Sequence, residues 1–527
     1  MKTKYLYIFS FALAVLANGC TKLDEKVYSE ILNDQFTPTE KDLVSLMAPV
    51  YTNLRGMTAG WYGNFDLQEE SSDEIITPAR PNGWYDGGDY QRMHWHTWTP
   101  ISGQPNGLWA NCFSGINIAN RVISQIESGE IPVTSGKENT LAELRTARAY
   151  YYYMLCDNQA NVPIVTDFKD VELPKQSTRL EVYNFVIKEL TETIPLLTET
   201  VDQSTYSRFT KWAAITILAK MYLNAQVYTG TPQWDKCIEQ CNLVIAAAQS
   251  GKYSLEANYK DNFSATNQNS KEMIFAVPYD EIFAKGNQIA MKTLDPIMQR
   301  VIPMQSQPWG GSAATPQFID TYDADDTRLQ DTWYMGPQYD AVTKQLLIDY
   351  TKNVNSIEKS ASNEGYRIGK YRVKTNATAD LDNDFPIFRY ADILMMKAEC
   401  LLRTGKPDEA ATLVTEVRRR AFTATPEKAT VTGADLMKGS SYNYGYWLNG
   451  AVTEVQGGAD VQYGRFLDEL GWEFAAEAHR RQDMIRFGVY NTKMWFNHRP
   501  SPATKAIFPI PQDEISKNPN LKQNPSY

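Results

Sequence analysis

The sequence predicts a mainly α-helical protein in which helical hairpins of tetratricopeptide type alternate with long, aromatic-rich loops carrying a few short strands. Three observations predict it. Two stretches, 211–249 and 387–421, read as helix, break, helix over about 35 to 40 residues with small residues at the contact. Long segments without hydrophobic period, rich in Gly, Pro, Trp and Tyr, separate these hairpins. Such segments in a helical chain are functional or disordered, and their aromatic content argues against disorder. Finally, 12 Trp, 31 Tyr and 20 Phe are an unusual supply of flat rings, and Tyr and Trp add a polar tip that suits binding surfaces.

The elements follow in order. Lys2 and Lys4 precede an apolar run over 5–17, and Asn18-Gly19 leads into Cys20. Basic, apolar, small is the order of a secretory signal, and the run is shorter than the ~20 residues that cross a bilayer. The thiol of Cys20 can take lipid, so 1–19 reads as a lipoprotein signal peptide and Cys20 as the lipidated first residue; the alternative is an ordinary signal with an incidental cysteine. Residues 20–36 read as a lipidated tether. Thr37-Pro38-Thr39-Glu40 then forms a helix start, with Thr37 as cap, Pro38 in the first helical position and Glu40 closing the capping box. Leu43, Leu46, Met47, Val50, Tyr51 and Leu54 follow at helical spacing. Thr178-Arg179-Leu180-Glu181 opens a second helix in the same way. In the first hairpin the break is Tyr228-Thr229-Gly230; in the second it is Gly405-Lys406-Pro407, with Gly405 suited to follow one helix and Pro407 to begin the next. Residues 108–153 supply a third, degenerate pair. Segments 272–279 and 366–374 are strand-like.

A formal charge of −10, without a basic block or stripe, excludes a nucleic-acid role and favours neutral ligands over phosphorylated or sulfated ones. Beyond Cys20 no apolar run is long enough to span a bilayer. Cys112, Cys156, Cys237, Cys241 and Cys400 show no CxxC spacing in a chain too large to need staples, and read as buried small residues.

Phe388-Arg389-Tyr390-Ala391-Asp392-Ile393-Leu394, Lys397-Ala398-Glu399, Val417-Arg418-Arg419-Arg420-Ala421 and the run from Trp472 through Glu473, Glu477, Arg480 and Arg481 to Gly488 come in a recognisable order. They end on Pro509-Ile510-Pro511-Gln512-Asp513-Glu514-Ile515 and Asn518-Pro519-Asn520. Arg145-Thr146-Ala147-Arg148-Ala149-Tyr150-Tyr151-Tyr152, Val162-Pro163-Ile164-Val165 and Asp24-Glu25 after the cysteine agree with it. This series resembles the SusD/RagB family of Bacteroidetes outer-membrane lipoproteins along essentially the whole chain. The resemblance implies a single SusD-like domain over 37–527, with its scaffold mainly in 37–57, 108–250, 387–421 and 465–488 and its ligand-face loops mainly in 66–105, 251–386 and 438–463. It implies a non-enzymatic protein on the outer membrane, lipid-anchored and facing the cell exterior. Such a protein binds an oligosaccharide or polysaccharide and passes it to a SusC-like TonB-dependent transporter. No cofactor is required; calcium is the structural cation such a fold could take. The charged motif residues themselves read as ion pairs between helices, with Glu473, Glu477, Arg480 and Arg481 on one helix.

Sugar rings present C–H groups on one face, against which an exposed aromatic ring stacks, while polar side chains hydrogen-bond the hydroxyls. The loop from Ser72-Asp73-Glu74 to Asn82-Gly83-Trp84-Tyr85-Asp86 has this composition and lies where starch-binding relatives carry a stacking Trp. Gln307-Pro308-Trp309-Gly310 stands where they carry another. Either Trp84 or Tyr85 could be the matching ring of the first loop. The expected glycan contacts are therefore Trp84 and Trp309, with Tyr85, Asp73, Arg80 and Asn82 as polar or flanking help and Trp61, Trp333 and Tyr334 as outside candidates; Trp95, Trp98 and Trp109 are expected in the core. Two rival functions remain open. A surface glycosidase would need two carboxyl groups across a sugar site, for which Glu69, Glu70, Asp73 and Glu74 are the candidates. A protein-binding repeat scaffold would use the helical face and leave the Trp loops dispensable. His94 and His96 show no third ligand at zinc-like spacing.

Overall fold

A computed structural model describes residues 39–59, 62–81, 84–456 and 460–527. The expected signal segment, Cys20, the tether, Thr37, Pro38, Trp61 and Asn82 lie outside the described residues.

Eight helices form the scaffold: α1 (Leu43–Thr58), α2 (Gly103–Glu127), α3 (Lys137–Asn158), α4 (Arg179–Thr193), α5 (Lys211–Leu223), α6 (Trp234–Gln249), α7 (Tyr390–Arg403) and α8 (Pro407–Arg418). Each packs on the next in a single row. The row is continuous even between α6 and α7, which are far apart in sequence, so the long segment between them is extruded as an insertion from one stack. The insertion leaves and returns through an antiparallel pair, β1 (Met273–Val277) with β2 (Phe385–Arg389). Among the described residues the strands make five separate two-stranded ladders, as expected of loops pinned to a helical body.

Local chemistry explains the helix ends. Thr178 and Glu181 form the expected capping box, with Thr178 N donating to Glu181 Oε2 at 2.7 Å and Glu181 N to Thr178 Oγ1 at 3.3 Å. Gly230 and Gly405 both adopt φ of 78°, the left-handed turn that ends a helix. At the N-terminus a capping box is seen at Thr39–Asp42, just after the expected Thr37-Pro38 start, which lies outside the described residues. Thr39 pairs with Asp42, whose Oδ2 accepts from Thr39 N at 2.8 Å and Oγ1 at 2.7 Å. Glu40 instead reaches across to the backbone and hydroxyl of Thr134.

Packing uses small residues where rings approach. Gly115 on α2 sits under Tyr151 of α3 so closely that a Cβ would fall 2.2 Å from the ring. Arg148 on α3 joins Asn120 of α2, at 2.8 Å, to Glu189 of α4, at 2.5 Å. The Arg-Ala-Tyr motif is thus a three-helix rivet. The five cysteines of the described chain are free and buried, as expected of small core residues.

Beneath the insertion lies a buried ionic lattice. Arg389 meets Glu272, Glu473 and Glu477; Arg420 meets Glu272 and Glu473; Arg328 meets Asp326, Glu469 and Glu473. Lys370 meets Glu477 at 2.6 Å and Arg418 meets Glu469 at 2.6 Å. The ion pairs are therefore present, but one expectation is corrected. Glu473, Glu477, Arg480 and Arg481 do not share a helix. The helix Gly464–Phe474 stops, Ala476 and Ala478 take φ of 59° and 63°, and a new helix runs over Arg480–Arg486. Helical spacing is blind to such a break because the intervening alanines are good helix formers; buried acids from elsewhere in the chain capture the freed backbone N–H groups, as described below. The strand expected over 366–374 shortens to Arg367–Ile368.

Candidate functional site

The two candidate loops meet in space. Ile75–Ile76 pairs antiparallel with Ala313–Ala314, and Thr315 N donates to Glu74 O at 2.9 Å. This short ladder sets the Trp84 loop beside the Trp309 loop. The Trp84 and Trp309 rings stack with centroids 6.3 Å apart and planes 20° from parallel. Trp84 also stacks on buried Tyr90 at 6.2 Å and 27°. Both tryptophans are half-buried, and neighbouring Tyr85 is 53% exposed. The result is an aromatic surface backed by a buried ring.

Its geometry depends on residues that sequence reasoning missed. An ideal Cβ on Gly311 would lie 2.6 Å from Trp84 Cε2 and 2.9 Å from Lys292 O. The φ of Gly311 is not in the left-handed region, so glycine serves here for close approach, not for an unusual backbone. The Gly310-Gly311 doublet after Trp309 was the available signal. Gly311 N donates to Lys292 O at 2.7 Å and Trp309 N to Met291 O at 2.8 Å. Lys292 places its ammonium 4.3 Å from the Tyr90 ring centroid while bonding Asp66 and Glu70. Burial opposes its charge, but those two carboxylates carry its pKa upward.

Arg80 and Asp73 are placed differently from expectation. Arg80 is 6% exposed. It grips Gly311 O with Nε at 3.3 Å and Nη2 at 3.2 Å, and the carbonyls of Ala361 and Glu364 with Nη1, both at 2.7 Å. Its own backbone N–H donates to Trp84 O at 3.0 Å, so one residue ties both tryptophan loops together. Arg367 adds a second guanidinium on Gly311 O at 3.1 Å; burial and that neighbouring charge push the Arg80 pKa well down. Asp73 is fully buried and holds Arg480 through two bonds, 2.6 and 3.0 Å. Neither side chain lies on the surface, because each has protein partners that exhaust its geometry.

The acids offered for a glycosidase are likewise interior. Glu69 Oε1 accepts from Ala478 N at 2.6 Å and His479 N at 3.2 Å, and Glu74 Oε1 from Ala476 N at 2.6 Å. These are the backbone groups freed by the helix break. Burial raises the Glu69 pKa to about 7, and burial together with the Glu69 charge raises that of Glu74 well above the usual range. Glu70 is bonded to Thr77, Ser312 and Lys292. His94 and His96 are buried, bonded to Phe496 O and to Ser71 O and Ser501 Oγ, and burial lowers their pKa values to about 4 and about 3. Among the described residues no group of three or more His, Cys, Asp or Glu is arranged to hold a metal ion. Trp98 and Trp109 are core; Trp95 is only half-buried.

The SusD family model matches residues 249–527, more than half of the chain. The chain belongs to the SusD family. A second model, described as starch-binding and associating with the outer membrane, matches residues 23–223 of this SusD-family protein. The starch-binding protein SusD of Bacteroides thetaiotaomicron is 25% identical, covering 100% of both chains. A SusD-like protein of Bacteroides ovatus is 28% identical over 53% of this chain and 50% of its own. Among solved structures, a SusD-like protein from Bacteroides fragilis superposes with a TM-score of 0.72 at 18% identity, covering 94% of this chain and 99% of that one. Surface glycan-binding protein A from Bacteroides thetaiotaomicron, in complex with laminarihexaose, gives 0.68 at 18%, covering 92% and 99%. At such identities the likeness is one of fold, and the mainly α, SusD-like architecture expected from the sequence is the one found.

Proposed function

We propose that this SusD-family protein binds a neutral oligosaccharide or polysaccharide on the Trp84–Trp309 surface, without catalysis, and hands it to a SusC-like TonB-dependent transporter. The observation that carries this reading is the union of two distant loops into one aligned, half-exposed indole pair beside exposed Tyr85. Trp309 presents the stacking face, Trp84 and Tyr90 back it, and Tyr85 flanks it. Arg80 and Asp73 act as positioning residues, holding the loops rather than touching sugar. Relatives named for binding starch and other glycans support the ligand class, and the name of the second family model supports association with the outer membrane. Lipid on Cys20 holds the protein there, facing outward. One acyl chain gives only marginal membrane binding, so multiple acylation or the transporter secures it.

A glycan array followed by calorimetry tests the reading. Binding of at least one neutral glycan is expected, with that glycan recovered at its original length after prolonged incubation. Steady release of shorter products, or no neutral glycan bound, would overturn it.

A further inference from the structure

A second cleft, of about 500 Å³, opens beside the half-buried ring of Trp95. Tyr446, on the hairpin formed by Gly445–Leu448 and Ala451–Val455, lines it too. Asn497, Ser501 and Thr97 add polar groups to the lining, and Ser501 Oγ pairs with His96 Nδ1 at 2.8 Å. Arg499 and Lys505 line it as well, and among the described residues no acidic side chain does. In a chain with a formal charge of −10, this is a local reversal of sign.

The two cations are not equivalent. Arg499 lies over the Tyr446 ring at 4.2 Å and pairs with Glu454, so much of its charge is answered. Lys505 sits 3.9 Å from the Tyr527 ring centroid and donates to Trp98 O at 3.4 Å, and no carboxylate of the described residues lies within ion-pair range of it. Burial alone lowers its pKa, which marks a cation partly stripped of water without a compensating anion. An arriving carboxylate or sulfate would restore that compensation as a charge-assisted hydrogen bond.

The placement links this cleft to the aromatic surface. The helix Asp89–His94 starts just after Trp84-Tyr85 and ends at Trp95; at 1.5 Å per residue its six residues are about 9 Å long. We infer that the Trp95–Tyr446 cleft is a second saccharide-binding site, taking an anionic sugar through Lys505 while its rings contact the pyranose. The anion is a uronate carboxylate or a sugar sulfate ester. The inference extends the glycan-binding reading, in that a chain held on Trp309 can place an acidic unit here, but it does not need Trp309.

The test uses the whole protein with tetragalacturonate, its fully methyl-esterified form and a sulfated carrageenan tetrasaccharide, followed by calorimetry at low salt. The wild type should bind at least one anionic probe about tenfold or more tightly than the ester, as befits a hydrogen bond to a charged group. Lys505→Met, which keeps the apolar stem over Tyr527, should remove that preference. Tyr446→Ala should weaken the probes generally, and Trp309→Ala should leave the anionic binding in place. Retention with the acid assigns a uronate, and with the sulfated probe a sulfate ester. No preference for either anion, or a preference untouched in Lys505→Met, would overturn the inference. Loss in Trp309→Ala but not in Lys505→Met would do the same by assigning the binding to the aromatic surface. Binding to this cleft without any neutral-glycan binding would leave the inference standing and defeat the proposed function.

Discussion

Gly311→Ala probes the aromatic surface through one added methyl group. The backbone at Gly311 can accept alanine, since its φ is outside the left-handed region, yet the new Cβ would stand 2.6 Å from Trp84 Cε2, 2.7 Å from Nε1 and 2.9 Å from the Lys292 carbonyl. Ordinary contact begins near 3.5 Å, so about 1 Å of movement is required. The Lys292 carbonyl is held by Gly311 N at 2.7 Å, and Arg80 and Arg367 hold Gly311 O in turn. The half-buried indole is therefore the part that yields. Overpacking of this kind costs about 1–3 kcal/mol, expected as a lower melting temperature. Tilting Trp84 away from Trp309 forfeits the stack, worth about 0.5–1.5 kcal/mol, which weakens glycan binding by about two- to tenfold. Calorimetry and thermal melting read both. Wild-type affinity together with a wild-type melting temperature would refute the packing described between Gly311 and Trp84.

Glu473→Gln should destabilise the fold by about 3–5 kcal/mol in urea unfolding, because Arg328, Arg389 and Arg420 all lean on that buried carboxylate; a change below about 1 kcal/mol would show the lattice to be dispensable. Acid should weaken the protein between pH about 4.5 and 2. Burial alone would raise the pKa values of Glu272 and Glu399, but Arg420 and Arg389, and Arg486 and Arg403, bring each down to about 2. A depressed folded pKa gives stability that is present above the unfolded value and lost as pH falls through the folded one, on the order of 3 kcal/mol per group. Asp384, raised by burial to about 6, acts with the opposite sign: its contribution is present below its ordinary 3.8 and lost as pH rises through 6. Urea midpoints that stay flat from pH 5 to 2.5 would contradict this, and Glu399→Gln should flatten part of the acid loss. Cys20→Ala should leave glycan affinity unchanged while the protein leaves the cell surface, as read by surface labelling; retention on the membrane would remove the lipid anchor from the picture.

The scaffold was legible because helix capping and period are local. Thr178–Glu181, Gly230 and Gly405 each act within one turn, so their positions fix helix ends without tertiary information. The Thr39–Asp42 box was missed because Glu40 looked like the closing acid, whereas its carboxylate reaches Thr134 instead. The two stacking tryptophans were legible as aromatic residues in aperiodic segments. Their contact was not, since it is made by a two-residue ladder, Ile75–Ile76 with Ala313–Ala314, too short to leave a pattern. The polar residues misled for a related reason. Asp73 and Arg80 look like surface groups in a polar loop, but their partners, Arg480 and the Gly311 carbonyl, come from distant segments. A run such as Glu69 to Glu74 reads as solvated until the helix break at Ala475–Ala478 supplies N–H groups to bury it. Trp95 is a mixed case: it packs against the core, as its helix neighbourhood suggested, while the cleft beside it leaves it half-buried.

The central claim is that sugar stacks on the indole of Trp309. Calorimetry of Trp309→Ala, with the neutral oligosaccharide that the wild-type protein binds most tightly, measures it directly. Loss of a ring that anchors an interface is worth about 2 kcal/mol or more, so affinity should fall about thirtyfold while the melting temperature stays near that of the wild type. Unchanged affinity in a folded Trp309→Ala protein would contradict the claim and move the glycan to another part of the surface.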